Sequence, residues 1–416
     1  MATFPLRGIR LPSLKAPAAG RAVEEADAVS RVYLPLSFGG RERRVTLHQY
    51  SSVLCGQAVA SSKDKKAPPL LSSVSGVYTA QKVVSHPVYG ETTCLVMDCM
   101  DVRRPAPAER VDVSTLSAER IIEIARERAV VDELDGRYLA DKLSEWQQTG
   151  CDVLVGDAVE DQPYASAAWA VLGESVEAVY EGLELAARAV DAQDRHLAVQ
   201  PLPADHRRAL RQRLGDDEKL FITRGKYPVV QYTAKPKGKT VRRIGVQALL
   251  ALYRAAAFSE PHTAAVVTVA GDAVAAPRNL RVPFGTPAAE LLRRCGLAAD
   301  PTVLVFGDLM TGKATEEDEM PILPGVTCLL ALADPPRPAP DVCAGCGRCV
   351  QVCHAGVLPA AIVQRLEKAQ NDYVAALHPE ACDNCGACSA VCPAGRDLAV
   401  QIATVAKVIA EGGGEV

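Results

Sequence analysis

Eight of the chain's fourteen cysteines fall in two matching runs near the C-terminus. The first is Cys343, Cys346, Cys349 and Cys353. The second is Cys382, Cys385, Cys388 and Cys392, followed by Pro393. Both read C-x2-C-x2-C-x3-C. A cubane iron–sulfur cluster takes four thiolates; three closely spaced cysteines wrap one face, and the fourth of such a run reaches the other cluster. The spacing therefore predicts two [4Fe-4S] clusters, one on Cys343, Cys346, Cys349 and Cys392, the other on Cys382, Cys385, Cys388 and Cys353. Paired C-x2-C motifs also bind zinc, but a third cysteine at the same interval and a fourth three residues on, repeated twice, do not follow from a four-ligand zinc site. Gly345, Gly347 and Gly386 leave room for backbone N–H groups to approach the sulfurs. His354 stands where the first run would carry proline. It is either a tuning group for one cluster or, more plainly, a solvated side chain.

The elements around these runs read as a helical ferredoxin module over 342–416. Apolar positions at helical spacing (Ile362, Leu366, Ala369, Tyr373) predict one helix over Ala360–Ala376, and Leu398–Ile409 predicts another. Upstream, a proline-rich linker spans 333–341. Residues 263–332 form a small α+β unit, with strands at Ala265–Val269, Leu280–Pro283, Val303–Phe306 and Val326–Leu332 and a helix at Ala288–Arg294. Residues 116–260 alternate helix and strand: Ala118–Ala129, Cys151–Val155, Ala167–Val190 and His196–Val199 give an α/β pattern. Residues 31–105 hold short β-prone runs punctuated by Gly39-Gly40, Gly56 and Gly76, and predict a small barrel or sandwich. A polar loop there carries Lys63, Lys65 and Lys66, which read as solvated rather than as a modified lysine at a hairpin tip. Residues 1–30 read as an extended segment. The fold class is thus multidomain α+β.

Composition excludes other classes. A net charge of −4 argues against a dedicated nucleic-acid binder, and 6 Phe with 2 Trp argue against a base-stacking surface. The most apolar stretch, Ile244 to Phe258, is interrupted by Gln247 and Arg254 and is too short to span a bilayer. The N-terminal residues carry scattered charge with no apolar h-region, so they do not read as a signal peptide. The expected location is cytoplasmic, with contact to the membrane face only peripherally, through a complex. In that setting metal ligation is favoured over a disulfide framework. Of the scattered cysteines, Cys151 and Cys328 read as core residues in apolar strands; Cys94 and Cys99, five apart, are the one alternative redox pair.

The order of parts resembles the C subunit of the Rnf electron-transport complex. The resemblance rests on Gly8-Ile9 to Lys15, Leu34-Pro35-Leu36, Gly56-Gln57, Ser73-Val74-Ser75-Gly76, Val267 to Gly271, Pro277-Arg278-Asn279, Gly285-Thr286-Pro287, Met310, Gly312 and the two cysteine runs. It implies a barrel-sandwich hybrid domain, an α/β domain like the flavin- and NADH-binding domain of a respiratory complex I subunit, a β-grasp (SLBB-like) domain and a two-cluster helical ferredoxin. It also implies that Glu160 and Tyr164 occupy residual flavin-site positions.

One segment departs from the family. Its glycine-rich flavin loop ends in Phe-Pro-Thr shortly before a lysine; here Asp132 to Lys142 keeps one glycine, Gly136, and carries Asp132, Glu133 and Asp135. A phosphate is held by backbone N–H groups at such a turn. A carboxylate about 4 Å away would oppose it by on the order of 4 kcal/mol per unit charge. Gln162 also replaces an acidic residue, and the glycine-rich stretch after Tyr227-Pro228 is missing. FMN and NADH binding are therefore expected to be lost while the fold is kept. The basic run Arg224, Lys226, Lys235, Lys237, Lys239, Arg242 and Arg243 reads as a solvated loop or as a docking patch for an acidic redox partner. The sequence thus predicts an iron–sulfur relay between a flavoprotein or dehydrogenase donor and an iron–sulfur or reductase acceptor. The alternatives are an NADH-oxidising peripheral subunit of an ion-translocating membrane complex and a soluble carrier to a dedicated reductase of the proline-reductase-associated type.

Overall fold

The computed structural model describes residues 7–26, 29–64, 66–101, 108–215, 219–229, 238–333 and 340–410. Lys65, Lys235, Lys237 and the proline-rich residues 334–339 lie outside them.

The α/β region is built on a four-stranded parallel sheet in the order Leu220–Ile222, Asp194–Val199, Val153–Ala158, Val241–Gly245. Helices α1 (Ala118–Glu127), α2 (Leu139–Thr149), α3 (Ala167–Ala189), α4 (Ala204–Leu214) and α5 (Val246–Phe258) share one apolar core with it. The Ser117 hydroxyl caps α1 by accepting from Arg120 N, and Ile121, Ile124 and Ala125 form the expected buried face. Cys151 is buried but precedes the strand, which starts at Val153. Strand residues alternate: Leu154 and Leu197 meet the helices, while Val153, Val155 and Ala198 pack on the opposite face. Helix α3 bends at Ser175, whose φ/ψ of −141°/36° is non-helical.

Helices α3 and α5 touch backbone to backbone at Gly182, where an added Cβ would lie 2.0 Å from Leu249 O. Alanine ordinarily stabilises a helix interior by about 1 kcal/mol over glycine. Here Gly182→Ala is expected to destabilise instead, by about 1–3 kcal/mol, because the helices must separate. Chemical denaturation of the purified variant reads the sign.

The two β-rich regions are joined by a common core. Val32, Leu34, Leu95 and Met97 from the first pack with Val267, Leu280, Phe306 and Leu329 from the second in one cluster. The first region contributes an antiparallel sheet in the order Arg31–Pro35, Gly90–Asp101, Ser75–His86, Ser52–Val53. The second contributes a six-stranded sheet, Glu24–Glu25, Arg278–Pro283, Ala264–Ala270, Cys328–Leu332, Val303–Phe306, Lys313–Thr315, with α6 (Ala288–Cys295) against it. Separate cores for these regions are thus not observed, because the inward faces of their strands cover each other. Lys63 and Lys66 are exposed between the paired strands Ala58–Ser61 and Leu70–Leu71. Cys94 and Cys99 lie on the single strand Gly90–Asp101. Five residues of strand separate them by about 16 Å, beyond disulfide reach.

The C-terminal segment holds α7 (Arg348–Val352), α8 (Pro359–Glu367), α9 (Asn371–Ala375), α10 (Ala387–Ala390) and α11 (Leu398–Ala410). The single helix expected over Ala360–Ala376 is broken. Ala369 adopts φ +51°, and Gln370 N folds back to Arg365 O. The break lets Ile362, Val363 and Val374 all reach one core, while Tyr373, expected on the apolar face, is exposed. No helix among the described residues is long and apolar enough to cross a membrane.

Candidate metal centre and the adjoining cleft

The two cysteine runs take the same backbone path. In the first, Gly345 and Gly347 have φ +65° and +70°; at the matching positions of the second, Asn384 and Gly386 have φ +56° and +77°. Glycine and asparagine are the residues that tolerate this left-handed region. Gly347 and Gly386 each lead into a short helix, α7 or α10, that carries the third cysteine of its run, Cys349 or Cys388, both buried. Gly356 and Gly395 each close a turn onto the fourth cysteine, bonding Cys353 O and Cys392 O. Cys349, Cys353, Cys382, Cys388 and Cys392 belong to one small core with Ile362, Leu398 and Ile402.

None of the eight cysteines is paired in a disulfide. The Cys353 thiol lies close enough to act electrostatically on Cys382 and Cys388 of the other run. Burial pushes the Cys385 and Cys388 thiols up to about 12, so a metal ion would have to displace their protons. The donor set thus fits two iron–sulfur clusters. Cys343, Cys346, Cys349 and Cys392 would hold one, and Cys382, Cys385, Cys388 and Cys353 the other.

The two loops differ in their surroundings. Cys346 is exposed, and a Cβ on Gly345 or Gly347 would touch nothing. The second loop is pressed against the rest of the molecule. Tyr227 Oη donates to Cys385 O at 2.5 Å, and a Cβ on Gly386 would meet Met310 O at 2.6 Å. The N-terminal segment ties in the first run, with Gly8 N donating to Val352 O and Arg7 to Cys353 O. His354 is not solvated: its side chain is 3% exposed, and its Nε2 lies 2.9 Å from Asp383 Oδ2. Burial works to raise the Asp383 carboxyl, but the contact with His354 outweighs it and holds it below the usual range. The folding of one run against the other turns this imidazole inward, which its own neighbours in the chain do not reveal.

Beside the Met310 loop lies a cleft of about 290 Å³ whose lining includes Glu133, Asp157, Glu160, Asp161 and Asp308. Two helix N-termini open into it, and both are capped by carboxylates. Glu160 accepts from Ala168 N (2.9 Å) and Trp169 N (3.2 Å) at the start of α3. Glu133 accepts from Gln247 N (2.7 Å) and Ala248 N (2.9 Å) at the start of α5. Burial pushes Glu160 up to about 7, with Lys15 opposing, and Asp161 up to about 6. Lys15 Nζ donates to Gln162 O and Ala165 O, and the Gln162 side chain bonds Met310 N and Thr311 Oγ1. Tyr164 is not among the cleft's lining residues; it packs against the apolar cluster that includes Ala270 and Cys328.

Residues 342–396 match the 4Fe-4S dicluster domain family, which supports two [4Fe-4S] clusters in this segment. Over 233 residues the chain is 28% identical to the C subunit of the ion-translocating oxidoreductase complex of Rhodobacter capsulatus, covering 51% of this chain and 45% of that protein. The corresponding protein of Salmonella arizonae is 28% identical over 400 residues, 89% of this chain and 58% of that protein. The chain is RnfC-like. It spans about half the length of the curated relatives it matches. Among solved structures, an NAD+-reducing [NiFe]-hydrogenase in the H2-reduced state is 15% identical over 74% of this chain and 67% of that one, with a TM-score of 0.45.

In this RnfC-like chain the carboxylates of the acidic loop are engaged by the chain's own groups. Asp132 is buried, Glu133 half-buried and Asp135 exposed. Asp132 accepts from Gly245 N and pairs with Lys142 Nζ at 2.5 Å; Asp135 pairs with the same ammonium at 2.9 Å. Lys142 is therefore engaged within the loop. The amides at the start of α5 are likewise taken, Gly245 N by Asp132 and Gln247 N and Ala248 N by Glu133. The basic run is also partly engaged: Arg243 pairs with Asp157 at 3.2 Å, and Arg242 lies over the Trp146 ring and bonds Gly150 O. Sequence reasoning missed the roles of Glu133, Tyr227 and Lys15. Tyr227 and Lys15 lie in family-like segments that could have flagged them; the capping role of Glu133 has no local signal.

Proposed function

We propose that this chain is an electron-transfer protein that relays electrons between a partner flavoprotein or dehydrogenase and a protein acceptor, without binding FMN or NADH itself. The observation that carries the reading is the duplicated cysteine loop, with its repeated left-handed turns and the reach of Cys353 toward the opposite run. Bound clusters supply one-electron transfer at fixed positions. The chain's own residues hold the thiols, exclude water around Cys349 and Cys388, and anchor the second loop through Tyr227. No side chain is assigned acid–base chemistry. The family's divided architecture, with a barrel-sandwich region over 31–105, a flavin-domain-like region over 116–260 and a β-grasp region over 263–332, is part of the same proposal.

The engaged acidic loop supports the absence of a flavin. The similarity to the C subunits of ion-translocating complexes favours one further reading, a peripheral place on a membrane complex. Anaerobically reconstituted protein tests the core of the proposal. Denaturation should release no flavin fluorescence, and NADH should not drive viologen reduction, whereas dithionite should bleach the cluster absorbance. One FMN per chain, or NADH-dependent viologen reduction, would overturn it.

A further inference from the structure

The start of α5 has the form of an anion cradle. Gly245 precedes the first turn, and an added Cβ there would lie 2.1 Å from the Glu133 carboxyl carbon. Gly245 N, Gln247 N and Ala248 N all donate to carboxylates, the first to Asp132 and the other two to Glu133. Amides at a helix N-terminus, joined to the positive end of the helix dipole, form the donor set that holds a phosphate. Here a half-buried side chain of the chain itself takes that place. Its two oxygens each take one amide, as two phosphate oxygens would. At the other helix opening into the cleft, Glu160 does the same for Ala168 N and Trp169 N.

We propose that Glu133 is a built-in acceptor that holds the α5 N-terminus in place of a phosphate, and so closes the cleft to phosphate-bearing ligands. This deepens the flavin-free reading above and rests on it. The Asp132–Lys142 pair steadies the loop that presents Glu133, because both side chains are buried and Asp132 also bonds Gly245 N. Glu133 is thus a specificity residue that acts by occupancy. A glutamine retains the shape and one acceptor; an alanine empties the cradle and leaves Gln247 N and Ala248 N unpaired, which costs free energy until an anion fills it.

The test uses the full-length, cluster-loaded protein and inorganic phosphate, titrated against chloride at matched ionic strength. Melting temperature and hydrogen exchange over 245–248 are the readouts. Wild type should not respond. Glu133→Ala should show a saturable rise in melting temperature and slower exchange at 245–248, while Glu133→Gln should stay unresponsive. The proposal is overturned if folded Glu133→Ala responds no more than wild type, or if phosphate slows exchange at these amides in wild type. Should Glu133→Ala fail to fold, Glu133→Gln decides: its Gln247 and Ala248 amides should exchange roughly tenfold faster than wild type, since losing one of the two acceptor oxygens costs about 1.4 kcal/mol. Unchanged exchange there would sink the idea. The two readings fail separately. Flavin in wild type removes the flavin-free reading, whereas a flavin-free wild type with a phosphate-indifferent Glu133→Ala removes only the role given to Glu133.

Discussion

Replacing Cys353 with alanine is expected to damage the cluster of the second cysteine run and to spare the cluster of its own. The thiol lies close enough to Cys382 and Cys388 to act on them electrostatically, and in the proposed assignment Cys392 completes its own run. Iron should fall from about eight to about four per chain if the affected cluster is lost. The sharper readout is the pairing of phenotypes. Low-temperature EPR of reduced Cys353→Ala should match Cys388→Ala, and Cys392→Ala should match Cys346→Ala. Ligation within each run predicts the opposite pairing, with Cys353→Ala matching Cys346→Ala. The two loops also differ in exposure: Cys346 lies at the surface and Cys388 is buried. The two classes of variant should therefore be spectroscopically distinct, since solvent access and hydrogen bonding tune a cluster.

The largest loss of stability is expected from Lys142→Met. Lys142 Nζ pairs with Asp132, which is 0% exposed, and removing it leaves that carboxylate buried without its counter-ion. Burial already works to raise the Asp132 carboxyl, and the Lys142 ammonium is the chief opposing influence. Breaking a buried pair in this way costs about 3–5 kcal/mol. The exposed Arg31–Asp98 pair, at a similar distance of 2.7 Å, should by contrast contribute about 0–1 kcal/mol. The double variant Asp132→Asn with Lys142→Met should recover much of the loss, because no charge is then stranded. Denaturant unfolding of wild type, Asp132→Asn, Lys142→Met and the double variant reads the cycle. Equal losses for Lys142→Met and Arg31→Met would contradict the burial argument.

What the sequence makes legible here is what depends on near neighbours. The cysteine spacing, the buried face of α1 and the glycines of the cluster loops are all local patterns; α1 buries the expected face, and Gly345, Gly347 and Gly386 take the left-handed turns. The break between α8 and α9 is not local, because it answers the demand that Val374 reach the core built on Ile362. The common core of the β-rich regions likewise follows from strands about 230 residues apart, such as those carrying Leu95 and Leu329. Glu133 and Ala248 are 115 residues apart, so the acids of the loop read as a hindrance when their partners are out of view. His354 reads as solvated for the same reason: Asp383 comes from the other run. The residues that sequence reasoning missed are those whose partner lies on a distant segment.

Metal analysis of anaerobically purified and reconstituted protein bears most directly on the central claim, that the two runs hold a pair of iron cubanes. Iron and acid-labile sulfide should each reach about eight per chain, with negligible zinc. About two zinc ions per chain, with sulfide absent, would instead mean that the eight thiols serve two tetrahedral sites and carry no electrons.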